Sequence, residues 1–319
     1  MDRLYIVVPC YNEEAVLPET SKRLKAKLAA LEAAGSISAD SRVLFVNDGS
    51  KDRTWEIIAQ LHAQDPQTFS GVQLSRNRGH QNALLAGLTE AAKHADVIVS
   101  MDADLQDDID AVDAMLAKYR EGCEVVYGVR SARKTDTAFK RVTAEGFYHF
   151  MQAMGVDIVY NHADYRLMSR RAVEALEQFS EVNLFLRGIV PLVGFKSDKV
   201  MYERGERFAG ESKYPLKKMI AFAMDGITSF SVKPIRLILA VGALVFLVSI
   251  AMLLYSVIRK ALGHTVAGWT FLACSIWGLG GIQLLSLGVI GEYIGKIYNE
   301  TKRRPRFIIA EVLDADNKQ

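Results

Sequence analysis

Two closely spaced carboxylates follow an apolar run in the first half of the chain. Asp102 and Asp104 stand two positions apart, directly after residues 97–101. Two carboxylates with this spacing can reach one hard cation, and proteins hold Mg²⁺ or Mn²⁺ with one or two carboxylates together with phosphate oxygens. The pair therefore predicts a metal site for a phosphate-bearing substrate, with solvated surface carboxylates as the alternative.

Polar side chains also follow three other apolar runs, at residues 9–14, 47–52 and 75–80. Singly, each has an ordinary explanation: Asn12 as a helix cap, the pair Asp48-Gly49 as a turn, and His80 as a cap or a pocket wall. Their occurrence after four successive runs is harder to attribute to capping. It predicts a binding edge to which every run contributes.

The elements that must position these groups alternate along the chain. Runs rich in Val and Ile predict strands at residues 4–8, 43–46, 72–74, 97–101 and 125–127. Amphipathic stretches predict helices at residues 13–34, 52–64, 79–93 and 109–120. This alternation predicts an α/β fold with a mostly parallel sheet, whose ligands bind beyond the carboxyl ends of the strands.

Composition limits the class of partner and the compartment. The 319 residues contain 39 Lys and Arg against 37 Asp and Glu, so the overall charge gives no indication of nucleic acid, and none is expected as a partner. Cys10, Cys123 and Cys274 are too scattered for a disulfide framework or a zinc site, which suits the cytoplasm. The opening residues are too short and wrongly flanked for a signal peptide.

Two later segments are long and apolar. Residues 235–258 and 269–291 each exceed the roughly 20 residues that span a membrane, so they predict a transmembrane hairpin; buried core helices are the alternative. Basic residues flank both outer ends of this hairpin, with only Arg259 and Lys260 in the connection. By the positive-inside rule, both termini and the first domain are expected in the cytoplasm of a multi-pass inner-membrane protein.

The boundaries follow from these segments. We predict a catalytic domain at 1–212, an interfacial amphipathic segment at 213–233, the hairpin at 234–295 and a basic cytoplasmic tail at 296–319. Gly278, Gly280 and Gly281 leave helix faces open to packing, so a homo-oligomer is compatible with the sequence.

Together these motifs resemble the GT-A glycosyltransferases of family 2, in the polyprenyl-phosphate branch with the dolichyl-phosphate mannose synthases and bactoprenol glucosyltransferases. The first set is Val-Val-Pro-Cys-Tyr-Asn-Glu-Glu at 7–14, Val-Asn-Asp-Gly-Ser at 46–50, Leu-Ser-Arg-Asn-Arg-Gly-His-Gln at 74–81 and Asp-Ala-Asp-Leu-Gln-Asp at 102–107. The second set is Asp-Tyr-Arg-Leu-Met at 164–168, Arg-Phe-Ala-Gly-Glu-Ser-Lys-Tyr at 207–214, Gly-Ile-Thr-Ser-Phe-Ser at 226–231 and Gly-Glu-Tyr-Ile-Gly at 291–295. The resemblance covers nearly the whole chain.

The resemblance implies a GT-A, Rossmann-like domain that transfers a sugar, by resemblance glucose, from a UDP-sugar to polyprenyl (undecaprenyl) phosphate with inversion. It implies Mg²⁺ or Mn²⁺ at Asp102 and Asp104. The implied donor-binding residues are Pro9, Tyr11, Glu13, Asp48, Asp102, Gln106 and Arg130. The implied acceptor-phosphate residues are Arg133, Arg207 and Lys213.

Asp104, Asp164 and Arg207 are the expected catalytic residues. Asp164 would orient the acceptor or bind a sugar hydroxyl, and a salt bridge with Arg166 is its structural alternative. The sequence departs from the family pattern at Asp108 and Ile109, where many relatives carry prolines, and at Arg78, where many carry an aromatic residue.

Two other functional classes are weighed against this one. Processive polysaccharide synthases resemble one another in a Gln-x-x-Arg-Trp motif, but Trp55, Trp269 and Trp277 are never preceded by arginine. A non-catalytic protein that only binds nucleotide sugars would be expected to lose the two metal carboxylates, and both are present. The sequence therefore favours the transferase.

Overall fold

The computed structural model of the chain describes residues 1–131, 162–181, 184–203, 205, 231–262 and 268–314. These residues belong to two compact units. The first contains the N-terminal part of the chain together with the residues from Arg304 onward, and the second contains two long helices.

The first unit is built on one sheet. Its strands are β1 (Leu4–Cys10), β2 (Arg42–Asn47), β3 (Phe69–Leu74), β4 (Val97–Ser100), β5 (Val125–Arg130), β6 (His162–Ser169), β7 (Ser197–Tyr202) and β8 (Ile309–Leu313). Its helices are α1 (Leu17–Ala33), α2 (Thr54–Gln64), α3 (His80–Ala92), α4 (Ala111–Arg120), α5 (Arg170–Glu177) and α6 (Leu186–Leu192).

The strands lie in the order β7-β5-β6-β4-β1-β2-β3-β8. The pairs β1–β2, β1–β4, β2–β3 and β5–β7 are parallel, so the carboxyl ends of the first four strands meet at one edge. Every residue of β1, β2 and β4 is buried, as expected for strands covered by helices on both faces. The predicted mostly parallel α/β fold is confirmed.

Strand β6 runs antiparallel between β4 and β5. Its register pairs Ser100 with Arg166, so the first residues of β6 lie beside the last residues of β4. Strand β7 then pairs in parallel with β5 and aligns Tyr202 with Arg130. Through this reversal, residues from much later in the chain reach the edge where β1 to β4 end.

The chain returns to the sheet after the second unit. We call residues 305–313 the return segment. Its strand β8 pairs antiparallel with β3, with Leu74 opposite Ile309, and the Ser75 amide donates to the Ile308 carbonyl at 2.9 Å. Beyond it, Asp314 forms a buried ion pair with Arg42. The basic residues at 296–319 predicted a cytoplasmic tail, and no pattern in the sequence indicated this strand.

The second unit contains α7 (Lys233–Ala261) and α8 (Trp269–Thr301). Helices thus occupy both predicted spans. Among the residues that the structure describes, one stretch, Lys233–Met252, has the length and apolar composition of a membrane crossing. The two-span membrane hairpin therefore stays a prediction.

The five predicted strands are all present as β1 to β5, and the polar motifs follow the first four of them. Strands β6 to β8 and helices α5 and α6 were not predicted. The predicted interfacial segment falls almost wholly on residues outside the described ranges, and the domain boundaries at 212, 233 and 295 stay predictions.

Candidate active site

The ends of β1 and β2 are joined by local hydrogen bonds. We call residues 9–13 and 47–52 the β1–β2 rim. The Asp48 amide donates to the Cys10 carbonyl at 2.9 Å, the Asn12 amide donates to Ser50 Oγ at 3.0 Å, and the Lys51 amide donates to Asn12 Oδ1 at 2.9 Å. Asn12 has a φ of 56°, which asparagine tolerates better than most residues. The rim therefore fixes the backbone on either side of a half-exposed Tyr11.

Asp48 is the buried carboxylate of this rim. Its Oδ1 accepts from the Arg78 amide at 2.7 Å and its Oδ2 accepts from the Gly79 amide at 2.9 Å. Burial raises the pKa of Asp48 above its usual value, although the two amides oppose that rise. Asp48 thus ties the rim to the loop that follows β3.

That loop, residues 75–80, is called the bridging loop here because it contacts two groups of carboxylates. A Cβ built on Gly49, whose φ is +61°, would lie 2.5 Å from the backbone nitrogen of Asn77. Only glycine lets the rim and the loop approach this closely. At the loop's end, His80 begins α3, and its ring lies near Asp102 and Asp164, which belong to the second group.

The second group is the acidic cluster, which consists of Asp102, Asp104, Asp107 and Asp164. Three of its members lie on the loop after β4. Thr20 Oγ1 donates to the Ala103 carbonyl at 2.8 Å, the Gln106 amide donates to Asp104 Oδ1 at 3.2 Å, and Leu105 has a φ of 58°. These contacts hold the loop in a strained turn that presents its carboxylates at the sheet edge.

Among the carboxyls of this loop, that of Asp102 has the most strongly raised pKa. Burial raises the pKa of Asp102 to about 6, and the charges of Asp107, Asp164 and Asp104 add to the rise while His80 opposes it. His80 Nε2 lies 3.7 Å from Asp102 Oδ1 and 3.6 Å from Asp164 Oδ2. Burial and the neighbouring carboxylates thus both disfavour the ionised form of Asp102, and a bound cation would favour it.

Asp164 is the buried anchor of the cluster. Arg166 Nη2 donates to its Oδ1 at 2.6 Å, and Arg187 donates from Nε to Oδ1 at 3.3 Å and from Nη2 to Oδ2 at 3.2 Å. Burial alone would raise the pKa of Asp164, but Arg187, His80 and Arg166 hold it well below its usual value. The salt bridge weighed as a structural role for Asp164 is thus present, with two further cations beside it.

Asp107 belongs to a separate contact set. Its Oδ1 accepts from the Tyr202 hydroxyl at 2.5 Å and lies 3.7 Å from Arg130 Nη2, while Arg130 Nε donates to the Tyr202 oxygen at 3.1 Å. Arg130 was predicted to bind the sugar donor, and the structure shows that Tyr202 and Asp107 already orient its guanidinium.

The carboxylate oxygens of the acidic cluster are suitable ligands for a hard divalent cation. Within the described ranges, no three His, Cys, Asp or Glu side chains are arranged to enclose a metal ion. A cation at Asp102 and Asp104 would therefore complete its coordination with substrate phosphate oxygens and water, as Mg²⁺ ordinarily does. The repulsion of Asp102 by the neighbouring carboxylates, which a cation would offset, supports this fit.

The structure brings most of the predicted site residues to one edge. Those placed there are Pro9, Tyr11, Glu13, Asp48, Asp102, Asp104, Gln106, Arg130 and Asp164. Arg133, Arg207 and Lys213 lie outside the described residues. Sequence reasoning missed Asp107, Arg187 and Tyr202; for Asp107 the signal was its place in the same acidic motif, and for the other two no local signal was available.

The carboxylate pair after β4 and the buried aspartate after β2 thus share one sheet edge, and comparison with known sequences identifies the family of the chain. The chain belongs to glycosyl transferase family 2, whose sequence profile matches residues 5–177. A second profile, described as the GtrB C-terminal hairpin, matches residues 233–297. The protein is therefore a glycosyltransferase.

Similar proteins cover the chain from end to end. "Uncharacterized glycosyltransferase YkoT" of Bacillus subtilis is 54% identical over 99% of this chain and 93% of its own length. "Prophage bactoprenol glucosyl transferase homolog" of Escherichia coli is 40% identical over 97% of this chain and 99% of its own. "Bactoprenol glucosyl transferase" of Shigella phage SfV is 39% identical over 96% and 98%.

Among solved structures, glucosyl-3-phosphoglycerate synthase from Mycobacterium tuberculosis, in complex with Mn²⁺, UDP and phosphoglyceric acid, has a TM-score of 0.45 at 19% identity. It covers 71% of this chain and 76% of that one. Likeness at this level supports no assignment of individual site residues.

Proposed function

We propose that this glycosyltransferase moves glucose from UDP-glucose to a polyprenyl phosphate such as undecaprenyl phosphate. The observation that carries the proposal is the extent of the similarity to bactoprenol glucosyl transferases, which runs through both the sheet and the helical hairpin. The same chain then combines a donor-binding sheet edge with a segment suited to meeting a lipid acceptor.

The donor lies along the edge from the rim to the acidic cluster. Pro9, Tyr11, Glu13 and Asp48 hold the uridine. Gln106 and Arg130 lie towards the diphosphate, where Arg130 is pre-oriented by its hydrogen bond to Tyr202. A guanidinium held in one orientation loses little side-chain entropy when it binds phosphate, so this contact favours donor binding.

Asp102 and Asp104 hold Mg²⁺ or Mn²⁺ in this proposal. When bound, the cation neutralises charge that develops on the departing diphosphate. The protein's own contribution is to keep Asp102 and Asp104 at the end of β4, where Thr20 and the Gln106 amide restrain their loop.

In the reaction, an oxygen of the lipid phosphate forms a bond to the anomeric carbon of glucose. The bond from that carbon to the UDP oxygen breaks, and UDP leaves with the electron pair, which inverts the configuration. A phosphate monoester is already anionic at neutral pH, so the acceptor needs positioning and charge neutralisation more than a general base. Arg133, Arg207 and Lys213 supply that positive charge in the proposal.

Asp164 is proposed to orient the acceptor or a sugar hydroxyl. Its contacts with Arg166, Arg187 and His80 keep it ionised, so it can accept a hydrogen bond but has no proton to donate. The same contacts make it structurally important.

The protein is proposed to sit in the inner membrane with two spans and both termini in the cytoplasm. Large apolar side chains are exposed along both helices of the second unit, including Leu239 at 73% and Leu285 at 74%. Exposed apolar surface of this extent favours a lipid environment. A reporter after Gln319 should report a cytoplasmic location, and a tag near His264 should be accessible only from the opposite side.

The decisive test is transfer by the purified protein in detergent. UDP release from UDP-glucose should depend on added undecaprenyl phosphate and on Mg²⁺ or Mn²⁺, and mass spectrometry should find a glucosyl phospholipid. A screen of other UDP-sugars tests the sugar assignment. Release of UDP without lipid, or a polymeric product, would instead favour a hydrolase or a processive synthase.

Acceptor residues are tested separately from donor residues. Arg207→Lys should harm transfer more than Lys213→Arg, because a guanidinium clamps phosphate with two hydrogen bonds and an ammonium cannot. Arg207→Ala should raise KM for the lipid or lower kcat while calorimetry finds UDP affinity nearly unchanged. A large loss of UDP affinity would move Arg207 to the donor site.

A further inference from the structure

Arg78 connects the bridging loop to the far end of the chain. Its Nε donates to the Arg306 carbonyl at 2.6 Å and its Nη2 donates to the Pro305 carbonyl at 2.9 Å. The planar guanidinium therefore grips two successive carbonyls of the return segment, a geometry that lysine cannot reproduce. Its own backbone amide binds Asp48 at the same time.

The bridging loop contacts both parts of the candidate active site. The amides of Arg78 and Gly79 bind the carboxylate of Asp48, and the next residue, His80, lies beside Asp102 and Asp164. A displacement of this loop would therefore move Asp48's two donors. The loop itself contains no strand or helix between β3 and α3, so its position depends on what it is fastened to.

The return segment is a firm support for the loop. Strand β8 pairs with β3, and the amide of Ser75, the first residue of the loop, donates to the Ile308 carbonyl. The Arg306 side chain also bonds to the Phe179 carbonyl, and Asp314 is paired with Arg42 beyond the strand. The segment is thus attached to the first unit at Arg306 itself and at the residues that follow the two carbonyls bound by Arg78.

We infer that Arg78 is a positioning residue for donor binding, which fastens the bridging loop to the return segment and thereby holds the Arg78 and Gly79 amides on Asp48. The inference rests on the proposed function, because that proposal assigns Asp48 to the uridine. The sequence of the return segment lies far from the donor motifs, yet it becomes part of their scaffold. A direct attraction of the donor diphosphate by the Arg78 charge is the competing explanation.

The test compares four variants of the full-length protein in detergent: Arg78→Ala, Arg78→Lys, Arg78→Gln and, as the matched control, Arg76→Ala. Arg76 is an exposed arginine on the same loop. Calorimetry measures the Kd of UDP, and transfer kinetics measure KM for UDP-glucose and for undecaprenyl phosphate. Deuterium exchange reports on residues 75–80.

Arg78→Ala should raise the Kd of UDP and KM for UDP-glucose about tenfold, since two charge-assisted bonds to the loop are lost. KM for the lipid should change less than twofold, and exchange in residues 75–80 should increase while exchange in β4 stays the same. Arg78→Gln and Arg78→Lys should each restore part of the affinity, because each keeps a donor. Arg76→Ala should bind UDP like the wild type.

Three outcomes would overturn the inference. Unchanged UDP affinity in Arg78→Ala is the first. A loss in Arg78→Gln as large as in Arg78→Ala, with full activity in Arg78→Lys, would show that charge and not anchorage matters. The third is unchanged deuterium exchange in residues 75–80 of Arg78→Ala, which would mean that Arg78 does not hold the loop in place. Failure of the proposed function appears differently, as absence of UDP binding or lipid transfer in the wild type, and leaves the exchange comparison intact.

Discussion

Asp48 in the β1–β2 rim and Asp164 in the acidic cluster are both buried carboxylates, but they are held in opposite ways. Asp48 accepts from two neutral backbone amides, and burial leaves its pKa raised. Asp164 is surrounded by the charges of Arg166, Arg187 and His80, which lower its pKa despite burial. The rim therefore depends on backbone shape, whereas the cluster depends on a balance of charge, and the two should fail differently when altered.

The largest effect on transfer is expected at Asp104 in the acidic cluster, which is a proposed metal ligand. Asp104→Ala should reduce kcat by about a hundredfold or more, because loss of a metal ligand removes several kcal/mol of stabilisation from the transition state. Thermal unfolding should be nearly unchanged. Asp108→Asn, at an exposed position on the same loop, is the control and should retain transfer. Wild-type turnover of Asp104→Ala, or full activity in excess chelator, would defeat the metal assignment.

Removing the carboxylate of Asp164, which lies between Arg166, Arg187 and His80, should destabilise the fold. Asp164→Ala should lower the free energy of unfolding by about 3–5 kcal/mol, because the Arg166 guanidinium, 1% exposed, would be left buried without its partner. The midpoint of thermal denaturation in detergent measures this loss. Asp164→Asn should cost less, since an amide can still accept a hydrogen bond from arginine.

Asp198→Ala breaks an exposed ion pair with Lys118 and should leave the midpoint unchanged. If Asp164→Ala unfolds no more readily than this control, the charges around Asp164 do not support the fold. Asp164 would then be important only for catalysis.

In the β1–β2 rim, stability should depend most on Gly49 and not on a charged side chain. Gly49→Ala should lower the free energy of unfolding by about 2–3 kcal/mol, because the new Cβ would meet the Asn77 backbone and the positive φ would be strained. Gly79→Ala also has a positive φ but meets nothing within 4 Å. Its expected loss is therefore smaller, about 1 kcal/mol. Equal midpoints for the two variants would contradict the close approach of rim and loop.

The smallest effect is expected for Tyr202, whose neutral hydroxyl donates a hydrogen bond to Asp107 in the acidic cluster. Tyr202→Phe removes the hydroxyl that donates to Asp107, and should lower the free energy of unfolding by about 1–2 kcal/mol. It should also raise KM for UDP-glucose modestly, because Arg130 loses the hydrogen bond to the Tyr202 oxygen. Tyr127→Phe serves as a comparison on a neighbouring strand. An unchanged KM would mean that Arg130 needs no help from Tyr202.

The local parts of the site were predictable and the assembled parts were not. Asp48, Asp102 and Asp104 were found from the sequence because each directly follows an apolar run, and parallel strands end at a common edge. Asp164 was found through a motif, and its contact with Arg166 was foreseen as an alternative, but its contacts with Arg187 and His80 were not. Its partner Arg187 is 23 residues away, and the Tyr202 that binds Asp107 is 95 residues away. Such contacts depend on the antiparallel insertion of β6, which no short-range pattern indicates.

The return segment shows the same limit. Arg78 was noted as a departure from its relatives, but nothing near it indicates the carbonyls that it binds 227 and 228 positions later. A basic run after an apolar segment is well explained by membrane contact. The strand that follows is short, and its place in the sheet is decided by tertiary pairing with β3 rather than by its own sequence.

Strand β8 also sets an order of events during synthesis. Chains emerge N-terminus first, so β1 to β7 leave the ribosome well before residues 309–313. Until then β3 is an uncovered edge, open to wrong pairing with other chains. The Arg42–Asp314 ion pair, which joins positions 272 apart, can close only after both long helices have been made. The nascent enzyme therefore completes its sheet last, after both long helices, and a chain truncated before residue 305 would carry an exposed β3 and would lack the two carbonyls that Arg78 binds.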